Sequence, residues 1–263
     1  MDSSTIAHLL LAFFAAGTWI SLATLAGERL GAKAGGLVVN LPGNIVFSLL
    51  FVALTRGSDY ASHTAASTPI GMTVDTVFLL ALVAGLSRGL WAGVALGFGG
   101  WILAAAIALS LPMPQPLVGT AIYIVVSAAS FLFADRFLKI HAVPKKPAPF
   151  RASVLVVRAL FAGSIVAGAV LIAQFAPPYL TGLAAVFPAT MLSTMVILSR
   201  AQGLAFARET GKILIVSSAN IVVYGLFSAW LFPLFGPAWG TLCSYAAAAL
   251  FVGLISPLAR RIR

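Results

Sequence analysis

Apolar runs long enough to cross a bilayer follow one another along the whole chain, separated by short polar or proline-bearing interruptions. The first covers about Thr5 to Ala26 and gives way to a charged turn at Glu28, Arg29 and Lys33. It lacks the basic start of a signal peptide and exceeds the length of a signal core, so it reads as a retained span. The second is Gly35 to Gly57, GGLVVNLPGNIVFSLLFVALTRG, followed by a Ser-, Thr- and Ala-rich stretch to Met72 that reads as a loop. Thr73 to Leu111 stays apolar for about twice a bilayer width at ~1.5 Å per helical residue. It has to turn back once, and Ser87-Arg88-Gly89 beside Trp91 is the expected hinge. Pro112, Pro114 and Pro116 then break the chain ahead of a fifth span, Leu117 to Ala134.

After the charged linker Asp135 to Arg151 the pattern resumes. A sixth span runs from about Ser153 to Phe175, and a seventh from Gly182 to Ser199. A loop holding Arg200, Arg208, Glu209 and Lys212 follows, then an eighth span from Ile213 to Leu231. After Pro233 and Pro237 comes a ninth, Trp239 to Ser256. Sliding the seventh span, GLAAVFPATMLSTMVILSRAQG, over the second by 146 residues places Gly36 on Gly182, Leu37 on Leu183, Pro42 on Pro188, Ser48 on Thr194 and Gly57 on Gly203. This register reads as an internal duplication. The expected architecture is an all-α integral membrane protein of about nine helices. Residues 1–112 form the first four-helix repeat, residues 113–151 a connecting helix with a basic linker, and residues 152–263 a second, inverted repeat.

Composition agrees with a lipid setting. Of 263 residues 61% are hydrophobic and 8% charged, with a mean hydropathy of +1.06, against roughly 25% charged residues in soluble domains. The net charge of +10 sits between apolar segments and reads as basic loops on one face of a membrane rather than a nucleic-acid surface. With nine spans and an inner C-terminus, Arg29, Lys33, Arg88, the linker cluster, Arg158, Arg200, Arg208, Lys212 and the last three arginines gather inside, leaving Arg56 outside. The N-terminus is then external, and a bacterial inner membrane is the expected location. The lone Cys243 excludes an intrachain disulfide, and its small-residue setting reads as helix packing.

The candidate chemistry is sparse. Asn40, Asn44 and Ser48 recur four residues apart and share one helical face, while Pro42 beside Gly43 interrupts the helix. One reading is half of a solute site, completed by Pro188, Thr190 and Thr194 from the other repeat; the other is plain helix packing by small polar residues. Asp75, about one turn into the third span, is either a coupling-ion residue or an acid stabilised at a wet helix N-terminus. Asn220 and Tyr224 share a face of the eighth span and form a second polar candidate, whereas Gln174, Tyr123 and Tyr179 look interfacial. His8, His63 and His141 are scattered without carboxylate partners, and no nucleophile or phosphate-loop motif occurs, so neither a metal, a cofactor nor an enzyme is expected. GFGG at Gly97 to Gly100 reads as close helix packing, within or between chains, so a homo-oligomer stays open.

The second half resembles the small GlpM-like bacterial inner-membrane proteins, through Gly182, Leu183, Phe187, Pro188 and Gly203; the first half has Leu41 where Phe187 stands. Those proteins are about the size of one half of this chain. The resemblance implies an envelope role, linked in name to an exported polysaccharide, and carries over no catalytic residue. The expected function is a transporter or permease of a small polar or anionic solute at the repeat interface. The rival is a non-transporting accessory protein of envelope polymer or lipid-linked intermediate synthesis.

Overall fold

The computed structural model describes residues 3–29, 42–144 and 152–259, and every regular element among them is helical. The helices are α1 (Ser3–Arg29), α2 (Gly43–Arg56), α3 (Ser58–Ala66), α4 (Thr68–Gly85), α5 (Leu90–Ser110), α6 (Pro116–Arg136), α7 (Ala152–Ile172), α8 (Pro178–Ala185), α9 (Ala189–Ala201), α10 (Leu204–Ser217) and α11 (Ala219–Ala259). Seven stretches among the described residues are long and apolar enough to cross a membrane, α8–α9 and α10–α11 each counting as one; α2 is shorter. Large apolar side chains such as Leu103, Val125 and Leu250 are exposed, as lipid surroundings require.

α4 is the centre. In its membrane-length window 67% of residues are buried, against 17% in α1 and in α5. α5 lies along it on the stripe Gly93, Gly97 and Gly100. A Cβ at Gly97 would stand 3.0 Å from Leu82 Cβ and 3.1 Å from Phe78 Cε2, so the glycines let the two helices approach closely within one chain. α6, α10 and α11 cover the other sides of α4, while α1 packs chiefly on α7.

Two stretches that read as loops are helical. Gly57 to Met72 is α3 and the start of α4, because its hydroxyls turn inward to their own backbone: Thr64 Oγ1 donates to the Tyr60 carbonyl at 2.9 Å and Ser67 Oγ to that of Thr64 at 2.7 Å. Polar residues that look solvated in sequence are thereby satisfied inside a helix. Arg208, Glu209 and Lys212 likewise lie on α10, held by definite partners. Arg208 Nε donates to the Val83 carbonyl at 3.1 Å, Lys212 Nζ to Asp135 at 3.0 Å and to the Ile140 carbonyl at 2.6 Å, and Glu209 accepts from the Val143 N–H at 2.7 Å. Arg200 lies over Trp91, 6.0 Å from the ring centroid, so these groups and the Arg88 hinge share one end of the bundle. The last reversal falls at Gly236 inside α11, so the helix continues through Pro233 to Phe235 instead of ending near Leu231. Cys243 is exposed.

The reversals obey one rule. Gly57 (φ 88, ψ 163), Gly89 (φ 123, ψ 166), Gly203 (φ 96, ψ 164) and Gly236 (φ 72, ψ 177) end or interrupt helices in a region of backbone space that essentially only glycine enters. Gly57 and Gly203 stand 146 residues apart, and Gly89 and Gly236 stand 147 apart. Pro42 and Pro188, both buried, stand immediately before α2 and α9. Side-chain bonds also run reciprocally between the halves: Ser62 on α3 donates to the Ala229 carbonyl on α11, and Arg208 on α10 donates to the Val83 carbonyl on α4.

A Cβ placed on Gly57, Gly203 or Gly99 meets nothing within 4 Å. Gly57→Ala and Gly203→Ala therefore lower stability by about 1–3 kcal/mol through backbone strain alone, read as a fall in melting temperature in detergent. Gly99→Ala, in regular helix, produces no fall.

Candidate functional site

The interior polar groups gather where α2 meets the two limbs of α11. α2 begins against α1: a Cβ on Gly43 would stand 3.3 Å from Trp19 Nε1 and 3.1 Å from Ile20 Cδ1. The Trp19 ring is met by Phe47 at 6.0 Å and edge-on by Tyr245 at 6.2 Å. α1, α2 and the second limb of α11 are pinned together at this tryptophan. Asn44 directly follows Gly43, and Ser244 directly precedes Tyr245. Both amide atoms of Asn44 and the Ser244 hydroxyl are buried without a hydrogen-bond partner among the described residues.

The first limb of α11 adds Tyr224 and Ser228, four residues apart on one face and both fully buried. The reversal at Gly236 folds the second limb back so closely that a Cβ on Gly240 would stand 2.6 Å from Phe232 Cδ1. Thr241, next in sequence, thereby flanks the Tyr224 hydroxyl together with Ser228. The three hydroxyls face one another, and none of them bonds to a group outside this trio among the described residues. Both amide atoms of Asn44 and the Ser244 hydroxyl are left without a partner, at about 1–3 kcal/mol each, so these atoms on two touching helices call for an explanation beyond packing. The set carries no charge, and its amide and hydroxyls can both donate and accept.

Asp75 forms a second, separate feature. It is buried two turns inside α4, not at a wet helix end, because the helix starts at Thr68 and is covered by α5 and α6. Its Oδ1 accepts from Trp101 Nε1 at 3.1 Å, and its Oδ2 is buried without a partner among the described residues. The Trp101 ring meets Phe187 edge-on at 5.0 Å, and Phe187 stands in the break between α8 and α9. Trp101 and Phe187 also line an apolar groove of about 350 Å³ between α5, α7 and α8, next to a second of about 300 Å³.

Of the residues singled out from sequence, Asn40 lies outside the described residues. Pro42 is buried ahead of α2, and Pro188 marks a true break, with α8 ending at Ala185 and α9 beginning at Ala189. Ser48 Oγ approaches the Ala185 carbonyl at 3.5 Å, tying α2 to that break. Thr190 and Thr194 are half-buried on α9, which packs chiefly on α10 and α7. No hydrogen bond joins them to α2 among the described residues; α2 meets the Pro188 break through Ser48 and packs also on α11. Asn220 is buried one turn before Tyr224. Tyr123 is not interfacial: it is buried with its hydroxyl 3.3 Å from Ser218 Oγ. Ser228 continues the Asn220–Tyr224 spacing and was there to be found; Thr241 and Ser244 join only through the Gly236 hairpin.

The described residues contain no group of three or more His, Cys, Asp or Glu side chains placed to hold a metal ion. No protein-family model matches the chain, and no match was found among curated proteins or solved structures.

If the Asn44 amide is as uncompensated as the geometry indicates, Asn44→Leu removes a cost of about 1–3 kcal/mol and raises the melting temperature in detergent. Tyr224→Phe leaves it unchanged or higher. A fall in both would show that these groups are bonded in the resting protein.

Proposed function

We propose that this chain is a membrane carrier for a small, uncharged polar solute, held between α2 and the two limbs of α11. The observation that carries the proposal is the buried polar set on α2 and α11, in which the Asn44 amide and the Ser244 hydroxyl have no partner among the described residues and Tyr224, Ser228 and Thr241 meet only one another. In hydrocarbon such atoms are expensive and mark function, and a ligand offering both donors and acceptors relieves them. The absence of charge in the cluster favours polyol- or amide-like solutes over anions, and Asp75 elsewhere in the interior opposes anions further.

The paired glycines, the paired prolines and the reciprocal bonds from Ser62 and Arg208 support a body built from two inverted copies of one unit, α1–α5 and α7–α11, joined by α6. Counting α3–α4 and the first limb of α11 with α10 as single crossings gives nine spans. The basic end formed by Arg88, Arg200, Arg208 and Lys212 then faces the cytoplasm, with the N-terminus outside, as in a bacterial inner-membrane protein. A second reading, an accessory protein that handles lipid-linked intermediates, draws support from the lipid-side groove at Trp101 and Phe187, which presents an apolar wall.

The test is flux. Purified protein in liposomes is screened with small polyols and amides by osmotic swelling. Wild type accelerates entry of at least one, and Asn44→Leu and Tyr224→Phe each reduce that rate by about tenfold or more, the equivalent of ~1.4 kcal/mol. A rate indifferent to both substitutions places the solute elsewhere.

A further inference from the structure

One face of α6 differs from the rest of that helix. Its circumference is largely exposed and apolar, at Leu117, Val125 and Phe133 for example, yet Tyr123, Ser127 and Ser130 recur at four- and three-residue spacing and are all buried. This face looks onto α4 and α10. The Tyr123 hydroxyl lies 3.3 Å from Ser218 Oγ, and both Ser218 Oγ and Ser127 Oγ donate to the Ile215 carbonyl, at 3.3 and 2.9 Å. Tyr123, Ser127 and Ser218 thus gather around the Ile215 carbonyl, with Ser130 on the same face of α6 one turn nearer Asp135. At the outer end of this face α6 and α10 are joined by the Asp135–Lys212 ion pair, 3.0 Å long, in which Asp135 is 50% exposed. At its inner end Tyr123 is buried on the face of α6 that packs against α4, the helix that carries Asp75. From Asp135 to Tyr123 the helix rises about 18 Å, at ~1.5 Å per residue.

We propose that Asp75 is a proton-binding site, filled and emptied from the Asp135–Lys212 end along Ser130, Ser127, Ser218 and Tyr123. The step moves no electrons. A proton from water at that end comes to rest on Asp75 Oδ2, the oxygen without a donor, and the carboxylate becomes a neutral acid while Oδ1 keeps the Trp101 N–H. The ionisable groups around α4 are few. α6 presents Tyr123, α10 presents Arg208 at the Val83 end, α8 carries Tyr179 and α11 carries Tyr224, while the α5 sequence has no ionisable side chain. Among the described residues no ion pair to Asp75 is found, so a proton is the counter-charge the site can take. The inference rests on the carrier reading only in giving the proton work to do, as the ion that drives the solute.

The full-length protein in liposomes is followed by infrared difference spectroscopy across a pH jump, with tryptophan emission as a second signal. A carboxylic C=O band is expected in wild type, missing in Asp75→Asn and displaced in Asp75→Glu and Trp101→Phe. Tyr123→Phe and Ser127→Ala keep the band but slow its appearance by about tenfold or more, with melting temperatures near wild type. A band that persists in Asp75→Asn, or exchange as fast as wild type in both hydroxyl variants, overturns the proposal. Should Asp75→Asn fail to fold, an undisplaced band in Asp75→Glu and Trp101→Phe overturns it equally. Because the spectra need no solute, a band of Asp75 without flux of any solute defeats the carrier reading alone, and Asn44-dependent flux without that band defeats the proton site alone.

Discussion

Inside hydrocarbon a polar group has no solvent to fall back on, and the backbone carries one donor and one acceptor at almost every residue. The chain answers this with helix wherever it can and with glycine wherever it cannot. At Gly57, Gly89, Gly203 and Gly236 the helix stops and the chain reverses through a conformation closed to other residues, without a long unpaired loop. The hydroxyl-rich segments obey the same demand. Thr64, Ser67, Thr73 and Thr76 return their hydroxyls to carbonyls three or four residues back, so a stretch with the composition of a surface loop becomes the buried start of the central helix.

Against that background the polar groups left over stand out by kind. The fixed charges whose bonds can be named are gathered at one end, where Arg208, Glu209 and Lys212 fasten α10 to α4, α6 and the linker. The neutral polar groups lie on α2 and α11. The one acid buried among the described residues sits apart from both, beside α5 and α6. Three kinds of polar feature therefore occupy one small bundle: a charged clamp, an uncharged polar set and a single carboxyl with hydroxyls on the neighbouring α6.

Much of this could be read from residues. The hinge at Ser87-Arg88-Gly89, the break at Pro188, the packing role of the Gly97 to Gly100 stretch and the extent of the fifth and sixth spans follow from glycine, proline and apolar run length. The failures have one cause: composition does not say where a hydroxyl or a charge finds its partner. Thr64 and Ser67 looked solvated because their own backbone was not considered as acceptor. Lys212 and Arg208 looked like loop residues because Ile140 and Val83, their carbonyl partners, are far away in sequence. Asn44 is legible as a polar residue on an apolar helix, but the polar residues of the second limb of α11 are not legible as part of the same region, since that limb packs near α2 only after the chain doubles back at Gly236. Asp75 was placed too near the surface for a related reason, as the helix that buries it began earlier than its polar first turns suggested.

The long-range bonds between early and late helices bear on how the protein is made. α3 rests on α11, which is synthesised long after it, and the Val83 carbonyl at the end of α4 waits for an arginine on α10. α3 and α4 therefore cannot reach their final packing before α10 and α11 exist, and have to be held in the bilayer in an open arrangement until those helices arrive. Two fragments cut within the linker between α6 and α7 would be expected to need each other in the same membrane.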